Sequence, residues 1–222
     1  MTIYPWELSY IVADNLNYIP MPVLQTYSAY TPYLDEINSR CFKDEKGPEF
    51  IILSLDTIDE RLALIEAPET WKQIMTNYSA IYCDEETNQY LLKRDAKIIS
   101  ESDIFLYKKQ KTTDFINVDR NTCVNITFKM NIRGALAKIF WKIPKVNMKV
   151  EYTDGTTKTG RIIPENLKNN CFIGSLPYNK DTLINLLNGT GHNSQVKRIS
   201  FSGEGLKYYE EEIEVDFSLL EW

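Results

Sequence analysis

The chain has 222 residues, 43% of them apolar, with nine glycines and nine prolines, which provides enough apolar surface for a buried core and excludes a disordered or collagen-like chain. Its 25 basic and 31 acidic residues give a net charge of −6, a balance that argues against a dedicated nucleic-acid binder or a polybasic membrane-surface protein. A single histidine, His192, removes most histidine-centred catalysis.

Taken from the amino terminus, Met1-Thr2-Ile3-Tyr4-Pro5 has no basic region followed by a small-residue cleavage site, so no signal peptide is expected. No stretch reaches the roughly 18 consecutive apolar residues that a spanning helix needs. Thr31-Pro32 reads as an N-cap with proline in the first turn of a helix, with Tyr33, Leu34, Ile37 and Cys41 sharing its inward face. Phe50-Ile51-Ile52-Leu53 is a short apolar run after a turn, expected to be a strand buried on both faces. Pro68 opens a second helix in which Trp71, Ile74, Met75 and Tyr78 repeat at three and four. Strand-like pieces follow at Ala80-Ile81-Tyr82-Cys83 and Tyr90-Leu91-Leu92. This first half predicts a small α/β layer.

After about residue 115 the period becomes two. Val124, Ile126 and Phe128 alternate with polar residues, as do Val146, Met148, Val150 and Tyr152 before Asp154-Gly155, a hairpin signal. Further strands are expected at 135–141, 157–163, 171–176 and 196–201, and a helix at 181–187 closed by Asn188-Gly189. In the last segment Tyr209, Ile213, Val215, Phe217 and Leu219 form an apolar face opposite Glu210, Glu212, Glu214 and Asp216, as in a strand with one dry and one wet face. Glu211 breaks the inward set and marks a bulge or the strand's start. The fold class expected is α+β, an N-terminal α/β layer at 1–112 packed on an antiparallel, jelly-roll-like β-sandwich at 113–222. The polar run 108–113 is the boundary candidate. The cysteines Cys41, Cys83, Cys123 and Cys171 are too widely spaced for a zinc or redox motif and read as mostly buried small apolar residues.

The segments Tyr4-Pro5-Trp6-Glu7-Leu8-Ser9, Met21 through Leu34, Asp56-Thr57-Ile58-Asp59-Glu60-Arg61, Arg161-Ile162-Ile163 and Phe172 through Pro177 together resemble the extracytoplasmic C-terminal region of uncharacterised bacterial polytopic membrane proteins. Some of those are similar to integral-membrane glycosyltransferases that use lipid-linked sugar donors. The resemblance implies a place on the extracytoplasmic face of the cell envelope, near glycan assembly. It implies as partners a glycan or lipid-linked sugar and the membrane-embedded portion of the same or a neighbouring protein. It carries no catalytic residue over, because the acids held responsible for chemistry in those enzymes lie among membrane helices.

Asp56 and Asp59 follow a buried strand, where a loop can present carboxylates to a cleft. Paired with Glu7 they form the alternative reading, a carboxylate-based carbohydrate hydrolase, with Arg61 as the obvious counter-charge. Nucleotide loops, His/Cys metal sites and hydroxyl nucleophiles with a base find no motif, so no cofactor, metal or nucleic-acid partner is expected. The aromatic crowding of the first 33 residues singles out Trp6, Tyr27 and Tyr30, with Gln25 beside them and Arg61 nearby, as candidate ligand-binding residues. Such rings combine a flat apolar face with a polar edge that suits sugars or protein partners. The leading expectation is a non-catalytic envelope module for recognition or scaffolding. A purely structural protein-interaction domain is the further alternative.

Overall fold

The computed structural model describes residues 1–221 apart from 14, 30, 85, 96, 98, 99, 141, 142 and 190–194, so Tyr30 and His192 lie outside the described residues. The fold is α+β. Its first half contains β1 (Thr2–Tyr4), α1 (Ser9–Ala13), α2 (Pro32–Lys43), β2 (Phe50–Leu53), α3 (Ala63–Glu66), α4 (Pro68–Asn77), β3 (Tyr78–Cys83) and β4 (Tyr90–Arg94). These strands form a sheet of order β1-β2-β4-β3, with β1 parallel to β2 and the other pairs antiparallel. In β2 one face, Ile51 and Leu53, is fully buried and the other is half-buried. Helices α2 and α4 pack on each other, and edge-to-face contacts of Tyr4 with Trp71 (5.3 Å) and of Phe42 with Tyr78 (6.1 Å) fill the core.

Helix α2 starts as its sequence predicts, with the Thr31 hydroxyl accepting from Leu34 N–H at 3.3 Å, but its inward face is not the expected one. Tyr33 is exposed and Leu34, Ile37 and Cys41 are half-buried, whereas Asp35, Asn38, Ser39 and Phe42 are buried. The reason is non-local hydrogen bonding. Asn38 accepts from Val23 N–H (2.8 Å) and donates to Val23 carbonyl oxygen (3.2 Å), pinning the irregular segment before the helix. Asp35 accepts from the backbone N–H groups of Glu69 and Thr70, both at 2.9 Å. Helix α4 has Ala67 at its own N-cap and Pro68 in its first turn, so its free N–H groups are satisfied from α2 instead.

The second half adds β5 (Ser100–Glu101), β6 (Leu106–Lys111), β7 (Ile116–Asn117), β8 (Thr122–Met130), α5 (Ile132–Phe140), β9 (Val146–Tyr152), β10 (Thr157–Ile162), β11 (Cys171–Phe172), α6 (Lys180–Leu187), β12 (Val196–Ser202) and β13 (Tyr209–Glu221). One antiparallel sheet runs β10-β9-β12-β7 and the other β11-β8-β13-β5, with β6 also paired to β13. Phe128 on β8 meets Phe201 on β12 with ring centroids 5.0 Å apart, so the sheets share a core. That core is continuous with the core of the first half. Asn166 donates to Glu66 carbonyl oxygen (2.6 Å) and Asn169 to the Asp35 carboxylate (3.1 Å), tying the halves together.

Several local expectations are corrected. The segment read as a strand at 135–141 is, as far as Phe140, helix α5, capped by Asn131, whose Oδ1 accepts from Gly134 N–H at 3.0 Å, and residue 141 lies outside the described residues. The boundary candidate 108–113 is mostly strand, because the lysines of β6 stand opposite the acids of β13: Lys111 faces Glu212 and Lys109 faces Glu214. The second half's sheet therefore draws strands from both sides of the 112/113 division. The acidic row of β13 accordingly lies on a strand paired on both sides, not on a free edge. In the expected strand at 171–176 only Cys171–Phe172 pairs, since the N–H groups of Ile173 and Gly174 both donate to Thr122 carbonyl oxygen and turn the chain away. At the carboxyl end the inward phase shifts after Phe217, leaving Leu219 half-buried and Leu220 buried. The break at Glu211 coincides with a register shift between Tyr209 and Ile213.

No helix of the described residues is long and apolar enough to cross a membrane. All four cysteines are free, with Cys123 and Cys171 buried and Cys41 and Cys83 half-buried. Helix α6 carries a capping box: Asn179 Oδ1 accepts from Thr182 N–H (2.9 Å) while the Thr182 hydroxyl accepts from Asn179 N–H (3.0 Å). Replacing Asn179 by alanine is expected to lower stability by about 1 kcal/mol, and Asn179→Ser by a few tenths, in urea unfolding.

Candidate functional site

After β2 the chain enters a loop over residues 54–62 in which Asp59 (φ 55°) and Glu60 (φ 59°) are consecutive left-handed residues. This conformation is unfavourable for residues with a Cβ, and it is held by pairing to β10. Arg161 N–H donates to Glu60 carbonyl oxygen at 2.9 Å, and Arg61 bridges Arg161 in the parallel sense. Gly160 permits this approach, because a Cβ there would lie 2.7 Å from Leu62 Cγ and 2.9 Å from Glu60 carbonyl oxygen.

The loop turns Arg61 inward. Its Nη1 donates to Glu66 Oε1 at 2.5 Å and to Tyr27 carbonyl oxygen at 3.0 Å, and its Nη2 lies 3.9 Å from Asp59 Oδ2. Arg161 forms a close ion pair with the same Asp59 carboxylate. The Arg61 and Glu66 side chains are only 7% and 3% exposed, so this is a buried pair. Burial pushes the Glu66 carboxyl above its ordinary range, and Arg61 partly offsets that.

Beside the loop opens a cleft of about 500 Å³, within the roughly 300–1,000 Å³ typical of small-molecule sites. Residues 55, 56 and 60–64 form one wall, and β9, β10 and residues 176–180 form the other. Tyr90, Tyr152 and Tyr178 line it, with Tyr152 and Tyr178 at a centroid separation of 4.7 Å. Polar groups come from Asp56, Asn88, Thr159 and Asn179. The Tyr178 hydroxyl donates to Asp154 at 2.8 Å, and Asp154 also accepts from Thr156 N–H at 2.8 Å. That backbone bond and the Tyr178 hydroxyl hold the Asp154 carboxyl below its usual range. Burial pushes the Tyr90 phenol up to about 12 and raises Tyr152 as well, while Tyr178 is raised chiefly by its bond to Asp154. All three phenols therefore keep their protons at neutral pH.

Of the residues singled out in the sequence, Asp56 and Arg61 line this cleft. Trp6 and Tyr27 pack edge to face, centroids 5.4 Å apart, and connect to Arg61 through Tyr27 carbonyl oxygen. Gln25 is exposed before the short turn Thr26–Ser28. Glu7 accepts from Ser9 and Asp56 from Ser54, both at 2.7 Å. Glu7 and Asp59 do not line the cleft, so the acids proposed as a hydrolytic pair are not brought together there. Sequence reading missed Tyr90, Tyr152 and Tyr178, each of which reads as ordinary strand or turn material. The available signal was Asp154-Gly155, whose turn places Asp154 beside Tyr178. Among the described residues no three of His, Cys, Asp and Glu gather closely enough to hold a metal ion. Comparison with protein-family models, curated proteins and solved structures finds no match.

Proposed function

We propose that the protein is a non-catalytic recognition module of the cell envelope that takes a short glycan, free or at the head of a lipid-linked sugar, in the cleft between residues 55–64 and the β9–β10 hairpin. The observation that carries this reading is the cleft with hydroxyl, amide and carboxylate groups among its lining residues, where half-buried Tyr178 supplies the accessible ring and Tyr90 and Tyr152, each 3% exposed, back it from the core. Sugar rings present apolar C–H faces that stack on aromatic rings, and hydroxyls that exchange hydrogen bonds with such groups. The envelope setting rests on the sequence resemblance. Scaffolding for a membrane-embedded glycan enzyme is compatible with the same placement.

Isothermal titration with soluble oligosaccharides of N-acetylhexosamine and of neutral hexose, offered separately, tests the reading. One class is expected to bind, and Thr159→Trp, which fills the cleft from an exposed strand position, is expected to weaken it at least about tenfold, equivalent to 1.4 kcal/mol. Tyr178→Ala is expected to weaken it comparably. Absence of heat with every sugar, or binding untouched by Thr159→Trp, overturns the reading.

A further inference from the structure

Helix α5 is amphipathic in the reverse sense. Its buried residues are the small ones, Gly134 and Ala137, whereas Ile132, Leu136, Ile139 and Phe140 are 81%, 55%, 74% and 69% exposed. At about 100° per residue those four occupy one stripe of roughly 100° on the helix, opposite the Gly134–Ala137 face. The orientation is fixed by packing. A Cβ at Gly134 would lie 2.1 Å from Tyr208 carbonyl oxygen, so only the side-chain-free face can lie against the neighbouring turn. Asn131 locks this arrangement, donating to Lys207 and Tyr209 carbonyl oxygens at 2.9 and 2.8 Å while capping the helix. The large apolar side chains are thereby held outward.

The charge around the stripe is as unusual as its exposure. Residues 131–150 carry five basic side chains, Arg133, Lys138, Lys142, Lys145 and Lys149, and no Asp or Glu, within a chain of net charge −6. Arg133 is exposed and borders the stripe next to Phe140, Lys145 lines the same surface hollow as Ile139 and Phe140, and Lys138 is exposed on the far side of the helix. Of the acids that approach from elsewhere, Glu165 is 4.0 Å from Lys138 and Glu60 is 3.9 Å from Lys145, all four side chains substantially exposed, where such pairs contribute little, and exposed Glu210 shares a surface hollow with Ile132, Arg133 and Lys207. Averaged over the whole chain this local excess disappears, which is why net charge argued against a membrane-surface role.

We propose that helix α5 is an interfacial anchor that lies flat on an anionic phospholipid bilayer, its Ile132–Leu136–Ile139–Phe140 stripe inserted among the acyl chains and its basic flanks against the headgroups. Outward apolar residues bordered by cations are the arrangement that interfacial helices use, and anionic lipid supplies the complementary charge. The anchor uses none of the cleft-lining residues and stands independently of glycan recognition.

Co-sedimentation of the full chain with phosphatidylcholine vesicles, with and without phosphatidylglycerol, tests it. Partitioning is expected to be at least about tenfold stronger on the anionic vesicles and to weaken as salt screens the cations. Leu136→Glu/Ile139→Glu is expected to abolish it, since both positions are exposed and the variant keeps the wild-type melting temperature. Ile81→Ser/Tyr82→Ser, on the exposed part of β3, is expected to leave it unchanged. Equal or absent partitioning on the two vesicle types overturns the proposal. So does binding that survives Leu136→Glu/Ile139→Glu, or a lipid-independent dimer that this variant dissolves, which would assign the stripe to a second copy of the chain.

Discussion

Replacing Glu66 by alanine is expected to lower the unfolding free energy by about 3–5 kcal/mol, the range for breaking a buried ion pair from one side. The Arg61 guanidinium would remain buried with Tyr27 carbonyl oxygen at 3.0 Å and the more distant Asp59 carboxylate at 3.9 Å as its partners. Asp59 is already engaged by Arg161. Arg61 Nε has no hydrogen-bond partner among the described residues, so the cation starts under-satisfied. Glu66→Gln retains an acceptor for Nη1 and is expected to lose clearly less. The double replacement Arg61→Met/Glu66→Leu removes both charges and is expected to recover most of the loss. Urea unfolding at neutral pH measures all three, and a loss under about 1 kcal/mol for Glu66→Ala would mean that the pair is effectively solvated.

The same pair bears on recognition. Arg61 anchors the loop at 54–62 that forms one wall of the cleft. Loosening it is expected to weaken ligand binding together with stability, whereas Thr159→Trp weakens binding alone. Arg61, selected from sequence as a ligand-binding residue, has its Nη1 committed to Glu66 and Tyr27. In the proposed recognition its part is to position that wall.

What could be read from the sequence was whatever a local pattern determines. Strands β8, β9, β12 and the middle of β13 alternate because one face of each is dry, and Thr31-Pro32 marks a helix start whose cap is three residues away. Features fixed by distant partners were not legible. The lysines of β6 look like a linker until β13 sets acids opposite them. In helix α5 the spacing of Ile132, Leu136, Ile139 and Phe140 is helical, but a segment begun at 135 leaves out Ile132, and that this apolar face points away from the core is set by the distant turn at Tyr208. The cleft joins four separate stretches of chain, and no spacing within any one of them announces it.

Helix α2 gives the sharpest case of a residue whose meaning is non-local, and the second large effect. Asp35 is fully buried and accepts hydrogen bonds from Glu69 N–H (2.9 Å), Thr70 N–H (2.9 Å), the Thr70 hydroxyl (2.7 Å) and Asn169 Nδ2 (3.1 Å). Asp35→Ala uncaps α4 and leaves several buried donors unsatisfied. At about 0.5–2 kcal/mol for the cap and 1–3 kcal/mol for an orphaned buried group, partly offset by no longer desolvating a carboxylate, the expected loss is about 3 kcal/mol. The pH dependence has a definite sign. Burial raises the Asp35 carboxyl above its ordinary value despite its four donors, so the folded chain holds this proton more tightly than the unfolded one. Asp35's contribution is therefore greatest below the unfolded carboxyl value, about 3.9. It declines as pH rises from there through the raised folded value, and is level above it. Asp35→Asn cannot titrate, so subtracting its stability–pH profile from that of the wild type isolates this decline from the oppositely shifted surface acids Asp84, Glu151 and Glu214. A difference profile that rises across the window would show that the donors outweigh burial and that Asp35 is held as a stable anion at the start of α4.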